Sequence, residues 1–151
     1  DLPTSQTSLD YSPSDFEFTP IENIFVNKDV VINAIGNPDF IILNSLTADI
    51  HEGQNPRYGR RGKIPSSKNI PFHELLDNKT GKFKPIEELA NMFEKNKITK
   101  DKKILNYCGG GIAASLEAFV LYQLGFEKIV IYDNSLHEWA AIDQTLPMEN
   151  N

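Results

Sequence analysis

The segment 103–132 constrains the fold of this chain most, because strand-like and helix-like patterns alternate along it and are separated by glycines. In chain order it contains an apolar run, a cysteine, three glycines, a helical pattern, a single glycine and a second apolar run: 103–107, Cys108, 109–111, 112–124, Gly125 and 128–132. A helix between two such strands joins them in parallel. The pattern therefore predicts an α/β fold in which a central parallel sheet carries helices on both faces.

Shorter apolar runs upstream supply the remaining strands. The strand candidates are 24–26, 40–43 and 69–70, the last ended by Pro71. A helix is predicted over 30–35, with Asp29 as its cap and Gly36 as its end. Another helix begins at Pro85. Residues 44–68 are polar and rich in glycine and proline, so we expect a long loop there, of the kind that often carries functional residues.

The chain divides into an arm, one domain and a short tail. Residues 1–20 are rich in Ser, Thr, Asp and Pro without any period, which predicts a linker or an extended arm. The domain is expected over 21–146, because a chain of 151 residues can bury one hydrophobic core. Residues 147–151 form the tail. An arm in front of a compact domain also indicates that another domain precedes it.

The net charge of −6 bears on which kinds of macromolecule the chain can bind. A broad nucleic-acid surface needs clustered Lys and Arg, so we expect no nucleic-acid partner. No apolar run reaches the roughly 18 residues that a membrane span needs, so we expect no membrane association. One basic cluster contrasts with the acidic composition and predicts either a solvated loop or a local anion site: Arg57, Arg60, Arg61 and Lys63.

Cys108 is the single cysteine of the sequence, so neither an intramolecular disulfide nor a cysteine-rich metal site can form. We expect no metal and no cofactor. A lone cysteine is commonly a small buried hydrophobe, but Cys108 immediately precedes a predicted helix. Free N–H groups and the positive end of the helix dipole face outward there, and glycines let those N–H groups converge as an anion nest. This setting predicts a stabilised thiolate, the reactive form of cysteine.

Three other interpretations of the glycine turn have less support. The pattern Gly109-x-Gly111-x-x-Ala114, with Asp133 after the next strand, fits a dinucleotide-binding fingerprint. Only the 18 residues 134–151 follow, however, and no strong strand among them completes the crevice. A cysteine phosphatase needs an arginine where Ala114 stands. In the last interpretation the glycines form only a turn and the cysteine is inert.

Four segments, in order and in spacing, resemble the rhodanese family, specifically the second, catalytic domain of two-domain thiosulfate or 3-mercaptopyruvate sulfurtransferases. The match runs from about Ile21 to Trp139. GKIPSSKNIP is similar to the family's G-H-I-P-G-A-x-N-I-P, and YCGGGIAA to a loop whose nearest form is C-G-S-G-V-T-A. LGF followed by IVIYD resembles the strand after the loop helix, and SLHEW resembles the closing S-x-x-E-W. The four segments are 62–71, 107–114, 124–133 and 135–139.

The resemblance implies a persulfide mechanism at Cys108. The thiolate would take sulfur from a small-molecule donor, thiosulfate or 3-mercaptopyruvate, and pass it to cyanide or a thiol, for instance of a thioredoxin-like protein. Loop residues would bind substrate and persulfide: Gly109, Gly110, Gly111, Ile112 and Ala113. Arg57 matches the arginine of the family's P-E-P-R and would orient the donor. A second substrate arginine of the family falls near Ile50, and Arg61, or alternatively Arg60, would replace it.

Departures from the family pattern keep a second function open. Gly110 and Ala113 stand where the family carries Ser and Thr, Lys63 replaces a His, and no Arg or Lys follows the cysteine in the loop. These losses favour the alternative of a catalytically weak rhodanese-fold binding or regulatory module. The histidines are expected to be surface or packing residues: His51, His73 and His137. Phe72 is expected in the core, and Trp139 as a core or lid anchor.

The resemblance and the cysteine also carry expectations about context. A preceding rhodanese domain would be the partner implied by the arm. A free reactive thiol favours the cytoplasm. The chain begins at Asp1 rather than Met, so the lack of a visible leader is weak evidence, and an exported form is the alternative.

Overall fold

The structure is a computed structural model that describes residues 4–8, 10–19 and 22–150. Five strands form one sheet in the order β1-β5-β4-β2-β3, and every neighbouring pair is parallel. The strands are β1 Phe25–Val26, β2 Phe40–Asn44, β3 Lys68–Asn69, β4 Lys103–Tyr107 and β5 Ile129–Tyr132. The predicted α/β fold with a central parallel sheet is confirmed.

Four α-helices, one 3₁₀ turn and one π-helix surround this sheet in the described residues. The α-helices are α1 Lys28–Ala34, α2 Ala48–His51, α3 Ile86–Lys95 and α4 Ile112–Gln123. A 3₁₀ turn covers Phe72–Leu75, and a π-helix covers His137–Ile142. None of the helices in the described part of the chain is long and apolar enough to cross a membrane.

Two expectations about local structure are wrong. Helix α1 is capped by Asn27, whose side chain accepts from the N–H groups of Asp29 and Val30 at 3.1 and 3.3 Å, so Asp29 is not the cap. The segment expected to be a single loop contains helix α2, in which Ile50 is buried. The burial of this one apolar side chain stabilises a turn of helix that the polar local sequence does not predict.

The core lies on both faces of the central strand β4. Ile104 packs on one face in a cluster that includes Leu43, Phe93 and Leu121. The side chain after it, Leu105, belongs to the cluster on the other face, together with other apolar residues such as Val31, Tyr132 and Trp139. Alternate side chains of a strand point to opposite faces. This explains why the central strands read as continuous apolar runs.

The two ends of the chain differ in how they contact the domain. Residues 4–8 and 10–19 contain neither helix nor strand and are exposed, and the expected boundary between 20 and 21 falls outside the described residues. By contrast, the segment expected to be a tail packs on the domain through residues 147–150. Glu149 exchanges backbone hydrogen bonds with Lys63 at 2.9 and 3.0 Å, and its carboxylate lies 3.3 Å from the Lys63 ammonium group.

Candidate active site

Cys108 directly follows β4 and lies on the floor of a cleft of about 560 Å³. Its side chain is only 3% exposed. The cleft is formed by segments that follow β2, β3, β4 and β5, which is where parallel sheets bind ligands. Residues from these segments line it: Leu46, Thr47, Ile50, Arg57, Tyr58, Phe72, Cys108, Gly109, Gly110, Ile112, Ala113, Leu116 and His137.

The glycine turn after Cys108 presents its N–H groups without using them internally. Within the described residues, no hydrogen bond is donated by the backbone N–H groups of 109–113. Gly111 is the N-cap of α4 and has φ +83°, a left-handed conformation that favours glycine. The turn therefore places several free donors and the N-terminus of a 12-residue helix beside the sulfur.

The segment 135–137 fixes the backbone of Cys108. The N–H of Cys108 donates to the Ser135 hydroxyl at 3.0 Å, and that hydroxyl donates to the Tyr132 carbonyl at 2.6 Å. Leu136 and His137 donate their N–H groups to the carbonyls of Cys108 and Gly109 at 3.1 and 2.9 Å. These contacts span the ends of β4 and β5, so the position of the cysteine depends on a segment 27 residues further along the chain.

The rest of this C-terminal motif holds the segment itself. Glu138 accepts from the Tyr132 hydroxyl at 2.6 Å, and burial together with this carboxylate raises the pKa of Tyr132 above its ordinary value. Trp139 is fully buried, contacts the Tyr132 ring edge-on, and donates its indole N–H to the Pro147 carbonyl at 2.8 Å. Trp139 therefore packs in the core and bonds to the segment that follows it.

The basic cluster separates into residues with different environments. Arg57 is exposed and lines the cleft, with its guanidinium 5.8 Å from the centre of the Tyr58 ring. Arg61 lies outside the cleft lining and donates to the carbonyls of Gly53 and Gln54 at 2.9 and 2.7 Å. Arg60 donates to the carbonyls of four residues of the C-terminal segment: Trp139, Ala140, Asp143 and Leu146. Of the two arginines predicted to bind substrate, the structure brings only Arg57 to the cysteine.

Two aromatic side chains reach the cleft, although neither is expected there from the sequence. Phe72 is half-buried and lines the cleft, so its assignment to the core is wrong. It follows β3 directly, and its N–H donates to the Ser45 carbonyl at 2.8 Å, which turns the side chain toward the carboxyl edge of the sheet. Tyr58 is not among the residues that the sequence predicts to be functional, and its ring lies against Gly109.

The three histidines occupy different surroundings. His51 is buried, and its Nδ1 lies 3.1 Å from the Asn44 amide nitrogen. Burial, with the positive charge of Lys63 as a smaller cause, lowers the pKa of His51 to about 4. His73 is exposed beside Phe72. His137 is exposed and lines the cleft. Within the described ranges, His, Cys, Asp and Glu side chains form no group of three or more that could hold a metal ion.

A buried carboxylic acid lies under the cleft wall and was missed by the sequence analysis. Glu117 on α4 is fully buried and accepts a hydrogen bond from the Ser45 hydroxyl. Its second carboxyl oxygen has no partner among the described residues. Burial raises the pKa of Glu117 to about 8. The signal was present in the sequence, since Glu117 interrupts the apolar face of the predicted helix 112–124.

Comparison with known proteins agrees with this geometry. The family model described as a rhodanese-like domain matches residues 38–142. The mitochondrial thiosulfate/3-mercaptopyruvate sulfurtransferase 1 of Arabidopsis thaliana is 34% identical over 142 residues, which are 92% of this chain and 37% of that protein. The sulfur carrier protein TtuD of Thermus thermophilus is 42% identical over 95 residues, 61% of this chain and 33% of that one.

Solved structures resemble the fold at low sequence identity. An anaerobic ergothioneine biosynthesis enzyme from Chlorobium limicola superposes with a TM-score of 0.77 at 17% identity, over 86% of this chain and 32% of that one. The Tum1 protein from Saccharomyces cerevisiae gives a TM-score of 0.73 at 19% identity, over 86% and 48%. The chain spans about a third of the length of the curated relatives named above. Since the family model covers more than two thirds of the chain, this chain belongs to the rhodanese-like domain family.

Proposed function

We propose that this protein is a sulfurtransferase in which Cys108 carries the transferred sulfur as a persulfide. The observation that carries the proposal is the set of free backbone N–H groups of 109–113 around a cysteine at the floor of a cleft. Such preorganised donors stabilise an anion where it forms, in the manner of an oxyanion hole. Relatives named as sulfurtransferases, and one named as a sulfur carrier, support the same class of reaction.

The reaction proceeds in two half-reactions through a covalent intermediate. The Cys108 thiolate attacks the outer sulfur of the donor, and an S–S bond forms while the bond between that sulfur and the rest of the donor breaks. With thiosulfate, the electron pair leaves with sulfite. With 3-mercaptopyruvate, the pair leaves on carbon, which takes the thiol proton to give pyruvate. In both cases the enzyme becomes Cys108–S–S⁻.

The second half-reaction returns the enzyme to its thiolate. An external nucleophile attacks the outer sulfur, the S–S bond breaks, and its electron pair stays on Cys108. The acceptor is external because Cys108 is the only cysteine in the sequence. Cyanide and small thiols serve as acceptors in this scheme, and a thioredoxin-like protein is the proposed protein acceptor.

Arg57 orients the donor in this scheme. It is the one arginine or lysine among the cleft-lining residues of the described chain. A guanidinium binds the sulfonate of thiosulfate or the carboxylate of 3-mercaptopyruvate through paired N–H donors. The walls around it are largely apolar, with Leu46, Ile50 and Leu116 among the lining side chains. A single cation with apolar walls favours the monoanionic 3-mercaptopyruvate over the dianionic thiosulfate.

The second candidate function is a rhodanese-fold binding or regulatory module, and one observation favours it. The nucleophilic side chain is 3% exposed, whereas Ile112 at the cleft rim is 86% exposed. A binding module would use such an exposed apolar rim to contact a partner, and the cysteine would then be a buried core residue without a chemical role. In that case Cys108→Ala would leave partner binding unchanged and no sulfur adduct would form.

Intact-mass spectrometry separates the two functions. The reduced protein is exposed briefly to thiosulfate and, separately, to 3-mercaptopyruvate. A gain of one sulfur, removed by cyanide and absent in Cys108→Ser, is the expected result, with 3-mercaptopyruvate loading faster. Absence of any gain with both donors, together with resistance of Cys108 to iodoacetamide, would overturn sulfur transfer in favour of the binding module.

A further inference from the structure

Tyr58 covers the first residue of the glycine turn. The hydroxyl and ring of Tyr58 lie so close to Gly109 that any β-carbon at this position would overlap the hydroxyl oxygen and the ring carbon that bears it. Tyr58 and Cys108 line the same cleft. The phenol is therefore a direct neighbour of the nucleophile, although 50 positions separate the two residues in the sequence.

The position of Tyr58 is fixed by the residues that follow it. Gly59 has φ +98°, and a β-carbon there would meet the backbone of Ala140 at 3.2 Å, so the two loops are in close contact. The next residue, Arg60, donates to the Trp139 and Leu146 carbonyls at 2.6 and 2.7 Å. Hydrogen bonds from a charged donor are stronger than those from a neutral one. The loop is thus anchored to the same C-terminal segment that fixes the Cys108 backbone.

The hydroxyl of Tyr58 is free to bind a ligand. It makes no hydrogen bond to any of the described residues, and this side chain contacts Gly109 and the Arg57 guanidinium. The Thr47 hydroxyl, which also lines the cleft, interacts with the Asp49 carboxylate and lowers the pKa of Asp49. A phenol O–H is a neutral donor that can serve an anion without adding charge to the site.

The bare thiol of Cys108 is not the partner of this hydroxyl, because the two groups make no hydrogen bond. A persulfide extends the side chain into the cleft by one S–S bond of about 2.05 Å. The added sulfur carries the negative charge and enters the space that Tyr58 borders. The free Tyr58 hydroxyl is then a neutral side-chain donor that borders the same space, together with the N–H groups of 109–113.

We propose that Tyr58 is a further catalytic residue, whose hydroxyl donates a hydrogen bond to the outer sulfur of the Cys108 persulfide, on the basis of the sulfur transfer proposed above. The hydrogen bond moves no electrons and transfers no proton. It stabilises the negative charge that the outer sulfur carries in the persulfide, while the electron pair of the broken bond leaves with the rest of the donor. Sulfur uptake then depends on Tyr58, whereas reactions of the thiolate itself do not.

The test compares Tyr58→Phe with wild type and with Tyr122→Phe, a matched change at an exposed tyrosine of α4 outside the cleft. Persulfide formation from 3-mercaptopyruvate and from thiosulfate is followed by quenched-flow mass spectrometry. Tyr58→Phe is expected to slow uptake roughly ten- to a hundredfold, the range for one hydrogen bond to a charged group. The rate of alkylation by iodoacetamide without donor and the midpoint of thermal unfolding of Tyr58→Phe are expected to match those of wild type. If Tyr58 had only a structural role, both quantities would change. Tyr122→Phe should behave as wild type in every measurement.

The outcomes distinguish this role from sulfur transfer as such. If wild type loads sulfur and Tyr58→Phe loads it equally fast, the role of Tyr58 is overturned and the proposed function stays intact. Faster loading in Tyr58→Phe would identify the tyrosine as an obstructing lid and would also overturn the role. Equal slowing of loading and alkylation would assign Tyr58 to loop structure alone. Wild type that takes up no sulfur from either donor would overturn the proposed function and this inference with it.

Discussion

The Ser135 hydroxyl joins the backbone of Cys108 to the end of β5, accepting from the Cys108 N–H at 3.0 Å and donating to the Tyr132 carbonyl at 2.6 Å. Ser135 is fully buried and has φ +50°, a conformation that non-glycine residues adopt rarely. Since strained backbone persists only where its surroundings hold it, Cys108 and the C-terminal segment form one rigid unit. The glycine turn can then present its free N–H groups at a constant position relative to the sulfur.

Ser135→Ala is expected to lower the free energy of unfolding by about 1–3 kcal/mol, because it leaves the buried N–H of Cys108 without an acceptor. Persulfide formation is expected to fall as well, since Cys108 loses its link to the end of β5 through the Ser135 hydroxyl and keeps only the backbone hydrogen bonds from Leu136 and His137. Urea denaturation and donor loading measure the two effects. Ser115→Ala is the control, because the Ser115 hydroxyl bonds to the Ile112 carbonyl on the exposed surface of α4. Equal behaviour of the two variants would contradict the role of Ser135.

Gly110 and Gly111, two glycines of the turn, are expected to tolerate substitution by alanine unequally. Gly111 has φ +83°, and a β-carbon there would overlap the Asp133 carboxylate, so Gly111→Ala should cost about 1–2 kcal/mol of stability or more. Gly110→Ala should be tolerated, because nothing lies within 4 Å of the position that the added methyl group would take and the φ of Gly110 is not positive.

Thermal unfolding and donor loading of the two single variants test this order. Gly110→Ala should keep the thermal midpoint and the rate of donor loading near the wild-type values, and Gly111→Ala should lower the midpoint and the rate. A Gly110→Ala variant as damaged as Gly111→Ala would mean that loop flexibility, rather than space and φ, governs the turn.

Arg57→Gln and Arg61→Gln form a matched pair that separates the two arginines assigned to substrate binding by sequence. Arg57 borders the cleft, so its loss should raise KM for an anionic donor roughly tenfold or more, the scale of one charge-assisted hydrogen bond. Arg61 is bonded to the Gly53 and Gln54 carbonyls, and its loss should leave KM unchanged. Steady-state kinetics with cyanide as acceptor measure both. A larger effect at Arg61 than at Arg57 would show that the donor binds outside this cleft.

Glu117→Gln is expected to change how stability depends on pH. The pKa of Glu117 is about 8 in the folded protein, raised by burial from an ordinary value of 4.5. The unfolded chain releases this proton near pH 4.5 and the folded chain near pH 8, so the stability that the neutral acid contributes is full below pH 4.5 and is lost as pH rises to about 8. Glutamine cannot ionise, yet it keeps an acceptor for the Ser45 hydroxyl.

The variant should therefore lack this loss and exceed wild type in stability above pH 8, by an amount of order a few kcal/mol at about 1.4 kcal/mol per pKa unit. Urea midpoints read from Trp139 fluorescence between pH 4.5 and 9 give the comparison. Parallel curves for wild type and variant would show that Glu117 titrates alike in the folded and unfolded protein, which would contradict a raised pKa in the folded state.

Local patterns in the sequence determined the architecture and singled out Cys108 as the candidate nucleophile. The apolar runs at 103–107 and 128–132, with a helix-length segment between them, leave few arrangements other than parallel strands. Cys108 before three glycines and a helix start predicts an anion site without reference to any distant residue. These features depend on neighbours along the chain, which is why they can be read from it.

The tertiary structure alone decided which distant residues meet at that cysteine. Arg57, Arg60 and Arg61 lie within five positions, yet one lines the cleft, one bonds to carbonyls of the C-terminal segment and one bonds to its own loop. Tyr58 contacts Gly109 from 51 positions away, and Ser135 bonds to Cys108 from 27 positions away. Such contacts are set by how loops pack at the carboxyl edge of the sheet, and packing is a property of the folded chain that no local sequence pattern encodes.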